Sequence, residues 1–158
     1  MSAKERLSKQ EIKDKFDSFS KWYYIFEIFN SILIGRLRRG LLKQAKGKVL
    51  EIGIGTGANL KYYPTDCEIT GIDLSKGMLT KAENKAAKLG IKINLREGDA
   101  ENLPFKKEEF DSVVDTLGLC IYPNPIRALK EMKKVCKKKG RILLLEHGIS
   151  NRQFIVNL

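Results

Sequence analysis

Val49-Leu50-Glu51-Ile52-Gly53-Ile54-Gly55-Thr56-Gly57-Ala58-Asn59 reads as an apolar strand that runs into a glycine-rich turn and then opens a helix. Glycines there let the backbone turn sharply and approach a ligand with no Cβ in the way. The helix start adds unpaired N–H groups, so something polar or anionic is expected to bind closely.

Outward from that turn, short apolar runs alternate with longer segments of helical period, the pattern of a parallel sheet flanked by helices. Strands are expected at Val49 to Ile54, Glu68 to Ile72, Lys92 to Arg96, Ser112 to Thr116 and Arg141 to Leu145. The helices between them are a short one after Gly57, then Lys76 to Leu89, then Pro125 to Cys136. Gly90 and Gly140 each stand where a helix-ending glycine of positive φ is expected. The fold class is therefore α/β: a three-layer α-β-α open sheet, mostly parallel.

Ahead of this core, Glu5 to Gln44 reads as one or two helices, with Trp22, Tyr23, Tyr24, Ile25, Phe26, Ile28, Phe29, Ile32, Leu33 and Ile34 crowded together. A helix pair packed on the domain and a lid over the site are the favoured readings. Glu27 and Asn30 interrupt the apolar face and argue against the third, an interfacial membrane helix flanked by Arg36, Arg38 and Arg39 that would make peripheral membrane contact. Residues 1–45 are thus a helical extension and residues 46–158 the main domain.

A chain of 158 residues, 42% hydrophobic and 31% charged, holds one domain with a real core. No stretch approaches the roughly 20 apolar residues of a membrane span, and the charged start resembles no signal core, so a cytoplasmic location is expected. Cys67, Cys120 and Cys136 are odd in number and not closely paired, which argues for reduced, mostly buried thiols and for no metal. The net charge of +11 invites an anionic partner. Its lysines, however, such as Lys130, Lys133, Lys134, Lys137, Lys138 and Lys139, lie over helical stretches as a solvated face, with no aromatic platform, so nucleic acid is not expected.

Gly53-x-Gly55-x-x-Ala58 fits the dinucleotide fingerprint, so the glycines alone leave NAD and S-adenosylmethionine both open. Glu51 separates them, because a carboxylate two residues before the first glycine suits an α-ammonium group, which NAD lacks. With it, Glu51-x-Gly53-x-Gly55-x-Gly57 resembles the first motif of class I methyltransferases. Gly71-Ile72-Asp73-Leu74-Ser75, Gly98-Asp99-Ala100-Glu101-Asn102-Leu103-Pro104-Phe105 and Phe110-Asp111-Ser112-Val113-Val114-Asp115-Thr116-Leu117 follow in that family's order, at the ends of successive strands. The stretch from Lys48 to Gly148 is similar to the type-11 branch, which acts on thiols, phospholipids and quinones. Phe16-Asp17-Ser18-Phe19-Ser20-Lys21-Trp22-Tyr23 is similar to the helix that closes its cofactor site.

The resemblance implies a Rossmann-like fold and S-adenosyl-L-methionine as cofactor, with S-adenosyl-L-homocysteine as product. It implies cofactor contacts from Glu51, Gly53, Gly55, Gly57, Asp73, Leu74, Met78, Asp99, Ala100, Glu101, Thr116 and Leu117. Asp73 would take the ribose hydroxyls, Asp99 and Ala100 the adenine, and residues 115–117 would line the reaction centre. The acceptor would be a small or lipid-like molecule. No catalytic residue is assigned: His147 past the fifth strand is weighed as a base against a plain loop residue, and Cys120 is read as packing.

The family usually adds a sixth and a seventh strand. Only Ser150 to Leu158 follows here, so an uncovered fifth strand is expected, with Phe154, Ile155 and Val156 covering it or joining a homodimer. An incomplete acceptor site leaves a second reading, a non-catalytic cofactor-binding or interaction protein. A small NAD-binding domain is a third.

Overall fold

The computed structural model describes residues 8–19 and 34–146; the aromatic-rich stretch through residue 33, His147 and the C-terminal tail lie outside the described residues. Helix α1 is Lys9–Phe19, and residues 34–42 form a second helix, α2. The strands are β1 Lys48–Ile52, β2 Glu68–Asp73, β3 Ile93–Glu97, β4 Phe110–Thr116 and β5 Cys136–Leu145. Helices α3 Lys76–Leu89 and α4 Pro125–Val135 complete the core. The sheet runs β3-β2-β1-β4-β5, and every neighbouring pair is parallel.

Strand β1 is central and buried at every residue after Lys48, as a strand covered on both faces must be. Its alternating side chains feed two cores. Leu50 and Ile52 pack with Ile72, Val113 and Met132, while Val49 packs with Leu42, Leu60, Ile69 and Val114. Helix α3 starts where the Ser75 hydroxyl accepts the Met78 N–H, buries the stripe Met78, Ala82 and Ala86, and ends at Gly90 with φ of 68°. Helix α4 starts with Asn124 accepting from the Arg127 N–H and buries Ala128, Met132 and Val135. Because each parallel strand needs a crossover, all five carboxyl ends share one edge.

Most expected elements lie within a residue or two of their observed positions, with three differences. The helix after Gly57 is a single 3-10 turn, Leu60–Tyr62. Helix α4 passes into β5 without a loop, so Lys137, Lys138 and Lys139 sit on a strand, exposed, and not on a helix face. Phe110 pairs with Cys136 but Ser112 with Arg141, which leaves residues 137–140 as a bulge.

Gly140 is therefore no helix cap and is absent from the positive-φ glycines. It is glycine because a Cβ there would lie 2.7 Å from Cys136 Sγ and 2.9 Å from the Lys137 carbonyl. No helix among the described residues is long and apolar enough to cross a membrane.

The two glycines should answer substitution differently. At Gly90, Asn is expected to cost less than Ala, because Asn tolerates the left-handed conformation and a Cβ there meets nothing within 4 Å. At Gly140 both should cost about 1–3 kcal/mol, since any Cβ is overpacked. Urea unfolding of the four variants checks this, and rescue by Gly140→Asn relative to Gly140→Ala would contradict it.

Candidate functional site

A cavity of about 470 Å³ opens at the carboxyl edge of the sheet, within the roughly 300–1,000 Å³ usual for small-molecule sites. The expected residues Gly53, Gly55, Asp73, Leu74, Met78, Asp99, Ala100, Glu101, Thr116 and Leu117 all line it. Glu51 and Gly57 do not. Gly57 faces inward, where a Cβ would meet Leu60 Cδ1 at 2.7 Å.

Asp73 ends β2 and braces the glycine turn, accepting from the Gly55 N–H at 2.9 Å through Oδ2 and the Ser75 N–H at 2.9 Å through Oδ1. A carboxylate of this kind accepts hydrogen bonds through both of its oxygens. Gly53, at φ of 62°, lets the chain leave β1 sharply, and a Cβ there would lie 3.0 Å from the Tyr122 hydroxyl.

Past β3, Asp99 closes a local turn by accepting the Glu101 N–H at 2.8 Å. Its other oxygen accepts from Lys9 Nζ of α1 at 2.6 Å. Lys9 also lies 3.1 Å from Glu101, and Lys13 pairs with Glu97. The hydrogen bond from Lys9 to Asp99 raises the lysine's pKa, and that from Lys13 lowers that of Glu97. Helix α1 thus covers the β3 end of the cavity.

Glu51 lies beneath the floor, 2% exposed, accepting from Asn59 Nδ2 and the Tyr63 hydroxyl, each at 2.8 Å. Burial pushes its pKa up to about 7 against those two hydrogen bonds. Its carboxyl reaches the cavity through Asn59, whose Nδ2 also donates to Thr116 Oγ1 at 3.0 Å. Arg38 completes this layer, donating from Nη1 to Asn59 Oδ1 at 2.9 Å.

Past β4, Leu117 takes a φ of 64°, a conformation that costs energy outside glycine and clusters at functional sites. Asp115 accepts from the Gly118 N–H at 2.9 Å and the Tyr122 hydroxyl at 2.7 Å, and Glu146 accepts from the Leu119 N–H at 3.0 Å. Burial, reinforced by the nearby Glu146, raises Asp115 to about 7.

Sequence reasoning missed several lining residues: Arg38, Lys9, Ile12, Lys13, Ile121, Tyr122 and Pro123. Cys120, read as a packing residue, is exposed and lines the cavity; Cys136 alone of the three cysteines is buried. Among the described residues no cluster could hold a metal ion.

A parallel sheet in this order, with acids after β2 and β3 around a glycine turn, is a Rossmann-like arrangement. The family model described as "Methyltransferase domain" matches residues 50–144, so the chain belongs to that family. It is similar to phosphatidylethanolamine N-methyltransferase of Cereibacter sphaeroides, 40% identical over 103 residues, covering 64% of this chain and 51% of that one. It is also similar to demethylmenaquinone methyltransferase of Staphylococcus aureus, 33% identical, covering 91% of this chain and 63% of the relative. The crystal structure of the YcgJ protein of Bacillus subtilis superposes with a TM-score of 0.66 at 26% identity, over 78% of this chain and 53% of that one. The chain thus spans about half to two thirds of the length of these three proteins.

The buried carboxyl of Glu51 makes stability depend on pH. Between about pH 4.5 and 7 the folded chain keeps a proton on Glu51 that the unfolded chain has released, so stability falls as pH rises across that window. The contribution is on the order of 3 kcal/mol, and Asp115 acts in the same direction. Glu51→Gln should flatten the fall between pH 5 and pH 8 in urea unfolding. A slope identical to wild type would mean that Glu51 ionises as freely folded as unfolded.

Proposed function

We propose that the chain binds S-adenosylmethionine and transfers its methyl group to a small or lipid-like acceptor. The observation that carries this reading is the convergence of the family's cofactor positions, taken from the ends of four strands, on one cavity. The donor set fits the group. Asp73 offers acceptors for ribose hydroxyls, Asp99 offers an acceptor for an adenine amino group, and Leu74, Met78 and Ala100 supply an apolar lining for the ring.

When bound, S-adenosylmethionine supplies an electrophilic methyl group. The chain's task is then to hold the acceptor in line and keep water out, which needs positioned walls more than a strong base. Leu117, Cys120, Ile121 and Tyr122 form the wall beside the end of β4, and Ile12 of α1 adds apolar cover. Support for a lipid-like acceptor comes from this apolar wall and from two relatives named for phosphatidylethanolamine and demethylmenaquinone.

Calorimetry with S-adenosylmethionine tests the donor half. Wild type should bind, and Asp73→Ala should weaken binding about 10- to 100-fold, the range for losing hydrogen bonds to a charged group. Transfer of a labelled methyl group to lipid or small-molecule fractions of a cell extract tests the other half. Binding indifferent to Asp73 would refute the cofactor assignment, and binding without transfer would reduce the protein to a cofactor-binding one.

A further inference from the structure

Helix α4 has two faces of opposite character. Ala128, Met132 and Val135 are buried against the sheet, while Ile126, Lys130 and Lys133 recur at helical spacing on the other side and are all exposed. Arg127 lies exposed beside them. The acid of this helix, Glu131, is occupied, accepting from Lys134 and from the Leu103 N–H. Among the described residues no salt bridge neutralises Arg127, Lys130 or Lys133. The stripe is cationic with no acid of its own.

Where α4 begins, this stripe turns apolar and meets the cavity. Ile126 is 61% exposed, and Ile121, 41% exposed, lines the cavity together with Pro123. The chain between the two isoleucines can span at most ~17 Å, so they flank one rim. Tyr122 between them is buried, with its hydroxyl on Asp115.

An exposed apolar tip on a cationic face fits a surface that lies on a bilayer, where aliphatic side chains enter the headgroup boundary and lysines meet anionic lipid. The net charge of +11 draws the whole chain toward such a surface. Single-stranded nucleic acid would instead call for exposed aromatic rings on which bases stack, and this face has none among the described residues.

We propose that α4 and the loop before it dock the protein on an anionic lipid bilayer. Ile121 and Ile126 enter the headgroup boundary, and Arg127, Lys130 and Lys133 meet the lipid phosphates. The cavity then opens beside the membrane, and a lipid acceptor reaches the wall of Leu117, Cys120 and Ile121 from the bilayer. That last step rests on the acceptor reading above; the docking surface does not.

Cosedimentation with vesicles tests it, comparing phosphatidylcholine alone with equal parts phosphatidylcholine and phosphatidylglycerol. Wild type should bind the mixed vesicles and not the neutral ones. Lys130→Gln with Lys133→Gln should weaken binding about 10- to 30-fold, at about fivefold per cation, and Ile126→Gln at least about threefold. The control with the same charge loss, Lys88→Gln with Lys92→Gln, removes two exposed lysines at the far end of the sheet and should weaken it less than about threefold. All variants should keep the wild-type affinity for S-adenosylmethionine, which also shows that they fold. No binding of wild type to the mixed vesicles, or equal losses in the two double variants, overturns the docking surface. So does tighter binding to an RNA oligonucleotide that the Lys130 and Lys133 variant loses, since it reassigns the stripe to nucleic acid. Vesicle binding by a chain that does not bind S-adenosylmethionine upholds the docking surface and refutes the methyl-transfer reading alone.

Discussion

The amide of Asn59 is the joint on which the deepest layer of the site depends. Its oxygen accepts from Arg38 of α2, and its nitrogen donates to Glu51 of β1 and to Thr116 at the end of β4. One buried side chain therefore ties α2, β1 and the end of β4 together. The layer is electrically economical as well. A buried carboxyl and a buried guanidinium share the same amide, and Arg38 is also among the residues that line the cavity. A partly satisfied network of this kind is costly in a low dielectric.

The strand order and the donor-side acids were legible because they follow from local rules. Apolar runs of strand length separated by helical periods force parallel crossovers, and Asp73 and Asp99 stand at strand ends, where ligands of such sheets bind. Arg38 was not legible in the same way. Between Arg36 and Arg39 it reads as part of the basic flank of an interfacial helix. The signal was helix phase: Gly35, Arg38 and Leu42 fall on one face of α2, and all three are buried. Glu51 was legible as a carboxyl out of place on a core strand, but its partner Tyr63 lies beyond a turn whose path no periodicity specifies. Gly140 misled because a glycine between a helix and a strand has two explanations, backbone conformation and crowding. The crowding comes from Cys136 and Lys137 within the bulge of β5 and from Asp111 across on β4, which the pairing of the two strands brings close.

The cover over the β3 end is built from weaker material than the floor. The Lys9 side chain is 41% exposed and that of Asp99 25%, so the pair is largely screened by water and worth at most about 1 kcal/mol. The oxygen of Asp99 that accepts from Lys9 can therefore exchange that donor for another at little cost. The turn held by its other oxygen stays in place, because Glu101, 4% exposed, is fixed in turn by the Asn124 N–H at 2.6 Å. Recognition at this end combines a rigid turn with an exchangeable lysine.

The loop past β4 follows a different design, in which side chains grip backbone. Asp115 and Glu146 hold the successive N–H groups of Gly118 and Leu119, and Asp115 also holds the Tyr122 hydroxyl. Three contacts thus fix a short loop that begins with the strained Leu117. With its polar groups turned inward, the loop presents apolar surface outward, and Ile121 is 41% exposed. Such a wall suits a reaction in which the donor is already activated, because it orders the acceptor and excludes water without competing for the methyl group. Asp115, fully buried, lies behind that wall and not among the residues that line the cavity.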